Sequence, residues 1–499
     1  MRKLIVSAAI AGLIAGGAAV VKAETLVVGH RTLPVNQGDV HMAFSALAVN
    51  PIMAFFDSLT YNDQAGNTNP GLVTSWENTA PDTWILKVRP GVKFHNGKPV
   101  TAEAIAFNIR YLMTDEGRVK SAARQVKFLA SATAIDDNTV EVKTKKPNPI
   151  FYSQAAIIRI VEPTAYSEGI ETFSRNPVGT GAFRVTNWAP DRIEAVAFDN
   201  GWRKPKVDAL TIIELPEVAS RIQALLSGQV DMALDVGPEA IETIENAGGQ
   251  VIVSPTHNIM TLMINSVREG PLQDVRIRQA MNYGVNKQVF IDTVLRGLVR
   301  AAGQPLKMGD VGYNPNVKPY PYDPEKAKQL LAEAGYPNGI KLTAEVVTSL
   351  GEFSSAQQHI ASDLAKVGID LELKVITTPI LIKKILNQQP WDGDAFSMQF
   401  ESYPTGDGGR PMDTHSCNFF FDSRWICDKA IMPTIIALGS EMDPQKRVAM
   451  LQEAMQYYHD NALALFMYER AQFDAMSGDV KNYELVNRAI NWHELELTR

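Results

Sequence analysis

The residues best equipped for chemistry are gathered in one stretch, 391–427, which reads WDGDAFSMQFESYPTGDGGRPMDTHSCNFFFDSRWIC. Tyr403, Asp407, Arg410, Asp413 and His415 fall close together in it, and Trp391 opens it. A carboxylate can hold an amine, and a guanidinium fork prefers a carboxylate or phosphate. The set therefore suits a small amphoteric ligand, with Tyr403 or Trp391 as an apolar wall. A plain connector would be short and made of turn residues. Pro404, Gly406, Gly408, Gly409 and Pro411 do break regular structure here, so a long loop is expected, but a loaded one.

The chain's only two cysteines, Cys417 and Cys427, follow that loop. A zinc site needs more ligands at tighter spacing, and a redox pair normally stands two residues apart. A disulfide closing a small ring is expected, stiffening the loop's base by a chain-entropy effect of about 3 kcal/mol. A second polar group, Arg31, Asp39 and His41, follows the first strand-like run and marks another candidate edge of a binding site.

Catalytic patterns are missing: there is no His-Glu-x-x-His, no Gly-x-Ser-x-Gly and no Walker loop, and the eight histidines are scattered. Asp407, Asp413 and His415 suit the acid–base work of a secreted hydrolase, yet they come without a nucleophile partner or a metal set. No enzymatic role and no cofactor are expected. The Gly-x-Gly of residues 177–183 opens onto a strand, without the helix N-terminus that holds a phosphate.

The elements that must position these residues are those of an α/β chain. Thr25 to Gly29 is a compact apolar run of strand length, and 50–62 reads as a helix with Phe55 and Phe56 as anchors. Between 72 and 113 a strand with alternating Trp84, Leu86 and Val88, two Gly turns and a helix capped by Thr101 form a compact unit. Helix 274–283 carries Arg276 and Arg278, expected on a solvated face. Asp323-Pro324 starts another helix, and Gly335 ends it. Ile340, Leu342, Ala344 and Val346 alternate, Phe353 to Val367 has a helical stripe, and Ile369, Leu371, Leu373 and Val375 alternate again. That is a strand–helix–strand crossover with parallel strands. Ligands of such sheets gather beyond the C-terminal strand ends, and Ala395 to Phe400 is a strand that delivers the loaded loop to one.

Residues 1–23 have a basic start at Arg2 and Lys3, an apolar run and a small-residue break before Glu24, the pattern of a cleavable secretory signal. Export to an oxidising compartment allows a disulfide to persist. With 48 basic and 55 acidic residues the chain carries −7, and loss of Arg2, Lys3 and Lys22 takes this to −10. Nucleic acid is an improbable partner for that charge. The remaining length exceeds what one core usually serves, so two or three domains are expected.

The segments WILKVRPGVKFHNG (84–97), 177–188, 228–233, 274–297 with its RQAMNYGVNK core, and 322–335 together resemble the extracellular solute-binding proteins of family 5, the peptide, nickel and opine type that serve ABC importers. The resemblance implies a two-lobed α/β periplasmic binding protein fold, type II and cluster C-like, with a small extra domain inserted in lobe I. Its expected limits are 24–61, 172–263 and 477–499 for the lobe I core, 62–171 for the insertion and 264–476 for lobe II. It also implies a periplasmic monomer that passes a small peptide or peptide-like solute to the transmembrane permease subunits. Peptide-binding members provide a loop carboxylate for the peptide's amino group. Tyr403, Asp407 and Arg410-Pro411 fall near those positions, with Arg410 replacing a second acid. That replacement keeps a modified peptide, an amino-acid conjugate or an opine open, and His415 keeps a metal chelate such as nickel.

Overall fold

The computed structural model describes residues 24–43, 46–347, 352–386, 390–417 and 427–499. The expected leader and residues 418–426 of the loaded stretch lie outside the described residues.

Ten strands make one twisted sheet: β1 Thr25–His30, β2 Phe183–Trp188, β3 Arg192–Ala197, β4 Ala209–Glu214, β5 Met232–Val236, β6 Gln250–Ile264, β7 Ile340–Val346, β8 Ile369–Val375, β9 Ala395–Glu401 and β10 Ala464–Met476. Their spatial order is β8-β7-β9-β6-β10-β5-β1-β4-β3-β2. β1 runs parallel to β4 and β5, and β7 parallel to β8 and β9. The central pair, β6 and β10, is antiparallel and long. One end of each belongs to one half of the sheet and the other end to the other half. Residues 473–476 of β10 pair with β5, whereas 258–264 of β6 pair with β9. The register of the β6–β10 ladder breaks between Pro255 and Ile259.

Separate cores lie on either side of this break. Leu26, Val28, Phe55, Phe56, Phe183, Leu210 and Ile212 pack with the C-terminal Leu485, Ile490 and Trp492. Met260, Leu262 and Ile264 pack instead with Leu342, Ala344, Ile360, Leu364 and Ile369. A third core fills the small inserted domain, a four-stranded antiparallel sheet (Val73–Ala80, Thr83–Val88, Thr139–Thr144, Leu129–Asp136) covered by helix Ala102–Tyr111. The fold is two-lobed, with that domain added to the first lobe.

Local chemistry sets the boundaries. Thr101 Oγ1 accepts from the Ala104 N–H (3.2 Å), Asp323 Oδ1 from Lys326 (2.9 Å) and Asp274 Oδ1 from Arg276 (2.9 Å), so each satisfies an orphan donor of a first helical turn. Gly335 and Gly368 take φ of 95° and 93° just past helix ends, where a side chain would be strained. The strand–helix–strand unit appears as β7, helix Phe353–Lys366 and β8, with seven parallel residue pairs between the strands.

Three expectations need correcting. The helix read over 50–62 is the shorter Ala46–Ile52, followed by turns and a strand at Thr60–Asn62. Phe55 and Phe56 are buried because the glycines of the 177–183 segment press on them. A Cβ on Gly179 would lie 2.2 Å from the Phe55 carbonyl oxygen, and one on Gly181 2.4 Å from its carbon. Those glycines serve close packing. Arg278 is not simply solvated, since it donates to the carbonyls of Leu272, Gln273 and Asn461 at 2.8, 3.0 and 3.0 Å. Finally, the loaded stretch after β9 contains a short helix, Gly409–Thr414.

Candidate functional site

β9 ends on Glu401, and the chain then turns through 402–408 into helix Gly409–Thr414. The turn is anchored below and above. Below, Ser402 Oγ donates to Asp310 Oδ2 (2.5 Å), a carboxylate that also meets His257 Nδ1 (2.7 Å) and Lys307 Nζ (3.4 Å). Above, the Pro404 carbonyl accepts from Asn62 Nδ2 (2.9 Å) and Asn487 Nδ2 (2.5 Å), and the Thr405 carbonyl from Ser153 Oγ (3.2 Å). The second-lobe loop is thus seated on the inserted domain and on the C-terminal tail.

Asp407 is buried, and its carboxylate makes a two-pronged pair with Arg447 (Oδ2–Nη1 2.6 Å, Oδ1–Nη2 2.7 Å) while accepting from the Gly409 N–H (2.8 Å). Burial works against the Arg447 charge, but the adjacent carboxylate more than offsets it and holds its pKa above the usual arginine value. The carboxylate that the family resemblance offers to a ligand amine is paired in the structure with an arginine of the chain.

Arg410 Nη1 donates to Gln125 Oε1 (2.7 Å) across the lobes. Arg410 and Asp413 share an uncommon condition. Surrounding protein desolvates both, lowering the Arg410 pKa and raising that of Asp413, yet both keep accessible surface. Glu401 and Asp413 partly restore the Arg410 charge, and Arg410 and Lys127 partly restore that of Asp413.

Tyr403 is buried with guanidinium groups around it. Arg488 lies 5.1 Å from its ring centroid and pairs with Glu401 (2.8 Å), while Arg159 lines the same cavity as Tyr403. Burial raises the Tyr403 pKa, opposed by Arg159, Arg488 and Arg410. Three arginines thus converge on one ring, with Glu401 as the carboxylate paired to one of them.

The remaining expected site residues are largely buried within the protein. Trp391 is buried in the second lobe, stacked on Phe396 with ring centroids 4.2 Å apart. His415 is buried edge-on against Phe400, and burial drives its pKa down to about 3. His41 sits between Tyr111 and Tyr166 beside the Asp39–Lys120 ion pair (2.8 Å), and its pKa too is lowered to about 3, first by burial. Both rings are neutral at any ordinary pH. Arg31 reaches Asp235 at 3.5 Å. Cys417 and Cys427 are joined as a disulfide. Among the described residues, no group of three or more His, Cys, Asp or Glu is placed to hold a metal ion.

Sequence reading missed Arg159, Arg447, Arg488 and Glu401. Two of these had a signal. Arg159 interrupts the apolar run AAIIRIV, and Arg447 stands on the helical face shared by Leu451, Ala454, Met455 and Tyr458. A charge on a face that should be buried implies a partner.

Comparison with known proteins agrees with this architecture. The chain is 26% identical over 453 residues to the dipeptide-binding protein of Escherichia coli, covering 83% of each. It is 29% identical over 299 residues to the glutathione-binding protein GsiB of Pectobacterium atrosepticum, a match that spans 58% of this chain and 57% of that relative. The crystal structure of NikA from Brucella suis in complex with Fe(III)-EDTA superposes with a TM-score of 0.84 at 21% identity, covering 95% of this chain and all of that one. At that identity the superposition speaks for the fold alone. Residues 67–424 match the middle region of the bacterial extracellular solute-binding proteins, family 5, and the chain belongs to that family.

Proposed function

We propose that this protein is the periplasmic binding component of an ABC importer, that it captures a small peptide or peptide-like acid between its lobes, and that it hands the solute to the permease as a monomer without chemical change. The carrying observation is the cavity that Tyr403 and Pro404 of the loop after β9 share with Arg159, Tyr61, Asn487 and Trp492, with Arg410 and Asp413 on the short helix that follows this loop. Arg410 takes an anionic group, Asp413 or Glu401 a cationic one, and Tyr403 an apolar portion. Asp407 holds the loop in place through Arg447. The names of the relatives support a peptide-sized solute, from dipeptide to glutathione. A metal would arrive already chelated, its acidic chelator meeting the same arginines.

The change of strand partners supports a hinge at 255–259 of β6 and about 469–473 of β10. That is a few residues before the domain limits at 263 and 476 read from the sequence. Ligand bridging the lobes then shifts the population toward the closed form, through contacts that exist only when both lobes meet.

Mass spectrometry of material released by gentle denaturation of the purified protein tests this reading. A peptide or acidic conjugate is expected, and calorimetry with it should show Arg410→Ala binding at least about tenfold more weakly. Conversion of the released solute on incubation with the protein would overturn the reading in favour of an enzyme.

A further inference from the structure

Arg159 is a buried cation with too few partners. It is 5% exposed, and its neighbours Ile157, Ile158, Ile160 and Val161 are at most 4% exposed. A guanidinium presents five N–H donors. Here Nη1 donates to the Ala43 carbonyl (3.2 Å) and Nε lies 3.4 Å from Met53 Sδ. No carboxylate of the described residues lies within ion-pair distance of it.

Other buried arginines show what a structural role looks like. Arg447 is forked onto Asp407, and Arg488 is paired with Glu401. Arg221 lacks a carboxylate too, but it is saturated by the carbonyls of Leu215, Pro216, Leu234 and Asp235 at 2.6 to 2.8 Å. Arg159 has neither arrangement, and it stands on the wall of a cavity.

That cavity has a volume of about 320 Å³, and Met53, Tyr61, Tyr403, Asn487 and Trp492 also line it. Its two acidic lining residues are committed elsewhere. Asp57 accepts from Tyr61 (2.6 Å), Thr180 (2.8 Å) and Trp202 (2.8 Å) and lies 3.4 Å from Arg203. Asp63 caps its own turn, accepting from the Ala65 and Asn67 N–H groups at 2.9 Å. The uncommitted charge in the wall is therefore positive, and the rings and amides around it can hold the apolar and polar parts of an organic acid. A cavity of this size admits on the order of ten waters at about 30 Å³ each, or a fragment the size of a short peptide end.

We infer that Arg159 is an anchoring residue for solute binding: its guanidinium receives a carboxylate of the solute inside this cavity, which Tyr403 also lines. The inference rests on the solute-binding reading above and specifies one end of the solute. An unpaired buried cation destabilises the empty protein and gains its partner only when an acid enters.

Thermal unfolding of the full chain in sodium succinate, sodium phosphate or sodium chloride at equal ionic strength tests this. Succinate should raise the parent's midpoint above its value in chloride, and Arg159→Met should lose that rise. In chloride, Arg159→Met should unfold at or above the parent temperature, because an uncompensated charge has been removed. Arg159→Lys, which keeps the charge without the fork, should retain part of the rise. The solute released from the parent should bind Arg159→Met more than about thirtyfold more weakly.

If Arg159→Met unfolds earlier in chloride and still responds to succinate, Arg159 is structural and the inference fails. If phosphate alone raises the parent's midpoint, the carboxylate assignment fails. If succinate acts equally on the parent and on Arg159→Met but not on Arg410→Met, the acid binds at the loop; the solute-binding reading then stands and this inference does not. If succinate leaves the parent unmoved, the inference fails as well, and the released solute decides the broader reading separately.

Discussion

Truncating Asp407 should destabilise the protein even with no solute present. The side chain is buried, both of its oxygens lie within 2.7 Å of the Arg447 guanidinium, and Arg447 is itself held by the Leu438 carbonyl (3.2 Å). Asp407→Ala leaves that guanidinium without its counter-charge, and loss of one partner of a buried pair costs about 3–5 kcal/mol. The Gly409 N–H also loses its acceptor, which adds about 1 kcal/mol. Arg447→Met produces the mirror defect. The double variant should recover part of the loss, because a pair replaced by apolar groups leaves no uncompensated charge. Urea unfolding of the four proteins, followed by a probe in the second lobe, should give a coupling of about 1–3 kcal/mol. A free-protein midpoint for Asp407→Ala equal to the parent's would refute this account. If that variant also lost the solute, Asp407 would be a ligand contact and Arg447 a bystander.

Asp474 on β10 accepts from the Asp235 N–H (2.8 Å), Gln472 Nε2 (2.8 Å) and Tyr483, and burial raises its pKa from 3.8 to about 6. The stability it contributes is fully present below its unfolded pKa and is lost as pH rises through about 6. Asp474→Asn should therefore gain on the parent by about 3 kcal/mol between about pH 4 and pH 7, and a pH-independent difference would sink the idea. His41 and His415, both with pKa lowered to about 3 by burial, act in the opposite sense. The stability of their neutral forms is lost as pH falls below about 6.5, so a phenylalanine in place of His415 should flatten the acid limb of the stability curve. Thiol titration of the unreduced, denatured protein should find none, and replacing Cys417 and Cys427 by serine should cost up to about 3 kcal/mol. Two thiols per chain would contradict the bond.

What was legible in the sequence was local. The β7–helix–β8 crossover could be read because alternation and a helical stripe are written in successive residues, and the caps at Thr101 and Asp323 because a cap is a contact within one turn. The loaded loop was legible as a loop, since its glycines and prolines exclude longer regular structure. Its partners were not. Asp407 meets Arg447 forty residues later, and Arg410 meets Gln125 from 285 residues before. Composition can say that a stretch carries charges of both signs, but not which of them the fold neutralises internally. That is why the pairing of Asp407 with Arg447 could not be read from the loaded stretch. It is also why Arg159, a lone letter in an apolar run, escaped notice although its shortage of hydrogen-bond partners sets it apart from the other buried arginines named above.

In the proposed reading, contacts between the lobes set how much a solute must contribute to closure. Glu401 belongs to the second lobe and Arg488 to a tail packed in the first, and their bridge joins the lobes at 2.8 Å. Arg410 to Gln125, Asn62 and Asn487 to Pro404, and Ser153 to Thr405 do the same. Each of these groups recovers water when the lobes part, so each contributes about 0.5–1.5 kcal/mol at most. Such a set brings the closed form within reach without committing the protein to it. Moving an equilibrium between two states from 1:99 to 99:1 takes about 5.5 kcal/mol of differential affinity. An acid that neutralised Arg159 in the cavity it shares with Tyr403 and Pro404 of the loop after β9 would make both sets of contacts in the closed form alone.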